Sequence, residues 1–106
     1  VTEINFPIAC TLDAATLAER GDALLPGLAR RASDVCWHAT GVRLTFGFDP
    51  LLLAEVASVM AAEHRCCRFL RFGLTVEPGD GVVTLDVTGP DGTALFLKAL
   101  LESAKR

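Results

Sequence analysis

Near the middle of the chain, residues 63–70 read EHRCCRFL. Two cysteines stand side by side there, with a carboxylate and a histidine within one turn upstream. Thiolates are the ligands of soft metals and the nucleophiles of redox chemistry. A carboxylate beside them can complete a coordination shell or carry a proton. If the segment is helical, Glu63 lies three residues before Cys66 and four before Cys67, so it neighbours both on the helix surface. Cys10 lies near the start, in NFPIACTL (residues 5–12), where strand alternation puts Phe6, Ile8, Cys10 and Leu12 on one face. That face must look toward the helices, which brings Cys10 toward the cysteine pair.

This donor set, Cys10, Glu63, Cys66 and Cys67, suits a thiophilic ion: Hg(II), As(III), Cu(I), Zn(II) or Cd(II). A closed tetrahedral zinc site would draw on all four, or on His64 in place of Glu63. Neither CxxC nor HxxxH spacing is present, so zinc is only one of several metals. The same inventory, thiolates to hold a metal and an acid to protonate carbon, could split a carbon–mercury bond. A second chemistry is redox. Cys10 could form a disulfide with Cys66 or Cys67, with Glu63 as acid or base. The adjacent pair is not expected to bond to itself, because neighbouring side chains on a helix diverge by about 100°. The bland reading treats the cysteines as small core hydrophobes.

The elements that position these residues follow from periodicity. Residues 51–70, LLLAEVASVMAAEHRCCRFL, carry an apolar stripe through Leu52, Leu53, Val56, Val59, Met60, Cys67 and Leu70. Glu63 falls near the middle of that stripe. A carboxylate there needs a partner, a metal or a proton, and without one its pKa rises. His64 falls at the stripe's edge, while Arg65 and Arg68 point to solvent. Asp49 is the expected N-cap of this helix and Pro50 its first residue. An earlier helix follows Asp13, weakened or kinked by Gly21 and Pro26. Arg20 in that helix could pair with Glu63 and neutralise it, a purely structural role.

Residues 35–48, VCWHATGVRLTFGF, read as a hairpin with Thr40-Gly41 as the tight turn. That register sets Ala39 opposite Val42, Trp37 opposite Leu44 and Val35 opposite Phe46, all on a buried face. Cys36, His38, Arg43 and Thr45 share the other face, where a ligand, a metal or a second copy of the chain could bind. FGLTVEP and GVVTLDVTG form two more strands around a Pro78-Gly79-Asp80-Gly81 turn, and TALFLKALLESAKR closes the chain as an amphipathic helix. The order is β-α-β-β-α-β-β-α. It predicts one α+β domain over residues 1–106, a single mostly antiparallel sheet with helices on one face, a ferredoxin-like variant.

The 106-residue length suits one core, and 51% apolar residues supply it. A net charge of −3 argues against nucleic acid as a partner. No apolar run reaches the length of a membrane span. No secretory signal pattern opens the chain, so the expected location is the cytoplasm, with all four cysteines reduced.

Three segments, ACTL (9–12), EHRCCRFLRFGL (63–74) and VTGPDGTALFL (87–97), resemble a group of small, poorly characterised bacterial proteins. Members stand alone or beside regulators of the mercury-resistance type. The specific motif is Glu63-x-x-Cys66-Cys67-x-Phe69. The resemblance implies a thiol-rich role in heavy-metal handling. Arg68 stands where the group's pattern has proline, which suggests a helix that continues past Cys67.

The expected function is therefore a small protein that binds a thiophilic metal or metalloid through Cys10, Cys66, Cys67 and Glu63. The alternatives are a thiol redox protein, and a ligand-sensing or dimerisation module without metal that uses the open sheet face.

Overall fold

The computed structural model describes residues 25–79 and 81–103. The expected first strand with Cys10, and the part of the first helix that holds Arg20 and Gly21, lie outside the described residues.

The described chain runs α1 (Leu25–Arg31), β1 (Asp34–His38), β2 (Gly41–Gly47), α2 (Pro50–Cys66), β3 (Arg71–Val76), β4 (Val82–Thr88) and α3 (Thr93–Ser103). The strands form one antiparallel sheet in the order β1-β2-β4-β3. This is the α+β class, and its strand order and helix placement fit a ferredoxin-like variant.

Strand alternation builds the core. Val42, Leu44 and Phe46 of β2 and Val83, Leu85 and Val87 of β4 are all buried on one face. Their neighbours Arg43, Thr45, Thr84 and Asp86 take the other face, as period-two geometry requires. There Arg43 and Asp86 are register partners and form an ion pair, Nε to Oδ1, at 2.8 Å. Cys36 is paired with Arg43 on the same outer face, and both Cys36 and His38 are exposed.

The hairpin register differs from the expected one by two residues. Trp37 pairs with Val42, Val35 with Leu44, and the turn is Ala39-Thr40. The inward residues of β2 stay buried because a slip of two keeps every side chain on its side. The β1 half of the expected buried face does not hold: Val35 is 38% exposed, Trp37 is half-buried and Ala39 is exposed in the turn, because β1 is an edge strand. The reason for the slip lies at Gly41. It is the first residue of β2, paired with Thr88, and a Cβ there would collide with the Val87 carbonyl oxygen. The glycine serves close strand approach, not the turn.

Pro26 is the second residue of α1 as described, Leu25–Arg31; the longer helix expected to be weakened or kinked at Gly21 and Pro26 lies largely outside the described residues. Arg30 and Arg31 occupy the last turn, the favourable end for positive charge. Arg31 also clamps Glu55 of α2 through two hydrogen bonds of 2.6 and 3.0 Å. Asp49 caps α2 as expected, its Oδ1 accepting the Leu51 N–H at 3.1 Å, with Pro50 as the first helical residue.

At the far edge of the sheet, α1, β1 and α3 border a groove of about 600 Å³. Pro26, Val35, Trp37 and Leu101 line it, and the Lys98 ammonium sits 5.2 Å from the Trp37 ring centre. Among the described residues, no helix is long and apolar enough to cross a membrane.

Candidate metal centre

Helix α2 points its C-terminal end at the candidate site. Val56, Val59, Glu63 and Cys66 are its buried residues, spaced as one helical face. Glu63 is 0% exposed, which makes it the one fully buried carboxylate among the described residues.

The helix does not continue past Cys67. It ends at Cys66, and Cys67 is the cap, with φ −119° and ψ 80° and its N–H donated to the Glu63 carbonyl oxygen at 2.6 Å. A turn follows, closed by the Leu70 N–H to the Cys67 carbonyl at 3.1 Å. The physical reason is burial. Cys66, Cys67, Phe69 and Leu70 are all buried, four of five consecutive residues, and a single helical stripe cannot bury them together. Phe69 turns instead onto Phe96 of α3, the rings edge-to-face with centres 5.1 Å apart. Favourable contacts beyond the helix outweigh the helical propensity of Arg68.

Leaving the helix at Cys67 changes the geometry of the pair. The two sulfurs do not diverge; they lie 3.7 Å apart, with the Cys67 thiol directed at Cys66 Sγ. Ligand atoms of Glu63, Cys66 and Cys67 all fall within 4.8 Å of one another, and all three residues are buried. The group is therefore close enough to hold one metal ion. Cys10, the fourth expected donor, and Arg20, the expected ion-pair partner of Glu63, lie outside the described residues.

The cysteines are not all reduced. Cys66 is disulfide-bonded, whereas Cys36 and Cys67 keep their thiols. The two cysteines of the pair are thus not joined to each other, in agreement with the expectation. A disulfide sulfur is no thiolate, so Cys66 can act as a metal ligand only after its bond is reduced. Proximity in the group and availability of its donors are separate conditions.

Glu63 has a partner that sequence alone did not suggest. Its Oε2 accepts the Leu25 backbone N–H at 3.1 Å, a buried bond across 38 positions of sequence. A backbone donor leaves no mark in residue type. His64, Arg65 and Arg68 are exposed, at the margin of the site.

Farther from the pair, the charged groups follow their partners. Hydrogen bonding to Arg31 holds the Glu55 carboxyl below its ordinary range and raises the Arg31 guanidinium. Hydrogen bonding to Asp86 likewise raises Arg43. These are surface pairs, separate from the buried group.

Comparison of the chain with protein-family models, curated proteins and solved structures returns no match.

Proposed function

We propose that the protein binds a thiophilic metal or metalloid ion through Cys66, Cys67 and Glu63, with Cys10 as a further donor. The observation that carries this reading is the approach of three ligand atoms to within 4.8 Å in a wholly buried group. Two sulfurs and a carboxylate with no bulk water around them favour a soft or borderline ion.

The two sulfurs, 3.7 Å apart, are close enough for one ion to span once both are thiolates. The resemblance of Glu63-x-x-Cys66-Cys67-x-Phe69 to a group linked with heavy-metal handling points the same way.

The test is titration of the fully reduced protein with Cd(II), read by the ultraviolet thiolate charge-transfer band. One equivalent should bind. Cys67→Ser removes a direct ligand, so it should weaken binding by more than the roughly 10–100-fold typical of losing an outer-shell partner. Unchanged affinity in that variant removes Cys67 from the site and sinks this assignment.

A thiol redox role is the second reading, favoured by a disulfide at Cys66 with the Cys67 thiol 3.7 Å away. That is the arrangement for thiol–disulfide exchange, in which a thiolate attacks one sulfur and the other leaves. The chain has four cysteines, and Cys36 and Cys67 keep their thiols, so this reading assigns Cys10 as the partner of Cys66. Glu63 would take or return the proton. Peptide mapping of the oxidised protein decides the pairing; a Cys66 bonded to any cysteine other than Cys10 rejects it.

A further inference from the structure

The geometry points to a redox gate on the metal centre: the Cys66 disulfide and metal loading exclude one another, so the ion binds only after a dithiol has reduced that bond. This inference rests on the metal reading and adds its regulation.

Three observations carry it. First, Cys66 belongs to the buried three-donor group and is at the same time disulfide-bonded. One sulfur serves both states and cannot serve them together. Second, Cys67 keeps its thiol in the presence of that disulfide, with its sulfur 3.7 Å from Cys66 Sγ. The oxidised centre therefore holds one thiol and one carboxylate, a poor set for a soft ion, while the backbone already places both sulfurs of the pair at a metal-bridging distance. Third, Glu63 is anchored by the Leu25 N–H at 3.1 Å, so the oxygen donor is held from the α1 side whichever state the sulfur adopts. Reduction then changes the number of thiols without having to build the site.

The chemistry balances. A dithiol reductant attacks the Cys66 disulfide, the protein S–S bond breaks, and the reductant closes into its own cyclic disulfide. Two electrons pass from reductant to protein, and the dithiol's two protons end on the two released protein sulfurs. Binding of the ion then displaces the thiol protons of its ligands into solvent. Reoxidation by a small-molecule disulfide runs the electrons the other way, yields two small-molecule thiols and expels the ion.

Cd(II) is the probe, and the full chain is used in both states. The oxidised protein should show two thiols on unfolding, Cys36 and Cys67, and the reduced protein four. The reduced protein should give the thiolate–Cd(II) charge-transfer band at one equivalent. The oxidised protein should bind at least about 100-fold more weakly, the loss of a direct ligand exceeding the upper range for outer-shell partners. Adding a small-molecule disulfide to the loaded protein should release Cd(II) as the thiol count falls from four to two. Equal affinity in both states overturns the gate while leaving the metal reading intact. Absence of binding in both states overturns the metal reading and the gate with it. Cys36→Ser serves as the control: it lies on the outer sheet face and should leave the redox dependence unchanged, and loss of the dependence in that variant also overturns the assignment to Cys66.

Discussion

Glu63 lies within reach of an ion shared with two sulfurs and accepts a backbone N–H from another helix. The two roles separate on mutation. Glu63→Gln keeps a side-chain oxygen for Leu25 and removes the charge, so it should fold and lose Cd(II) affinity. Glu63→Ala removes the acceptor as well and leaves a buried donor unsatisfied, a cost of about 1–3 kcal/mol. Chemical denaturation of the two variants checks this; equal stability would mean that the Leu25 bond contributes nothing. Glu63 was legible in the sequence because an acid in the middle of an apolar stripe contradicts its surroundings. Its backbone partner was not, because every residue carries an N–H and only the fold decides which one arrives. The state of Cys66 was also hidden. A thiol and a half-disulfide are the same letter.

At the scale of elements, the site depends on where α2 stops. The wheel ordered the stripe correctly through Glu63, and then the sequence pattern ran on while the helix did not. Nothing in Arg68 breaks a helix; the interruption comes from Phe69 and its contact with Phe96, a residue 27 positions later. Periodicity sees one element at a time and cannot register a competitor on another. The α1–α2 junction carries its own test. Glu55 titrates below its ordinary value of 4.5 because Arg31 hydrogen-bonds the charged form. The sign follows: a lowered folded pKa gives a contribution to stability that is present above 4.5 and lost as pH falls through the folded value. Carbon-detected NMR titration should place the Glu55 midpoint below 4.5, and Arg31→Gln should return it to the ordinary range. A midpoint unmoved by that substitution would show the clamp to be absent in solution. Exposure limits what the pair adds to stability, since salt and water screen it.

For the whole molecule, the sheet is the frame on which the helices rest, and Leu85 sits at its centre. It pairs with Leu44 on one side and Leu74 on the other and is fully buried. Leu85→Ala should cost about 2–5 kcal/mol, the range for a leucine truncated in a packed core. A loss below that range in urea unfolding would mean that the helices collapse onto the vacancy. The α+β class and the inward faces of β2 and β4 were readable because alternation depends only on parity, which survives a register slip. The register itself was not, since Gly41 looks like a turn residue until Val87 is brought beside it. The Trp37–Lys98 contact has a practical outcome. Trp37 is the chain's one tryptophan and there is no tyrosine, so intrinsic fluorescence is a single-reporter signal from the groove edge. Emission will record the undocking of α3 from β1 and stay blind to events confined to the cysteine pair. Two optical channels are thereby separated by position: tryptophan emission follows the groove, and under the proposed function sulfur–metal absorbance would follow the buried end of α2.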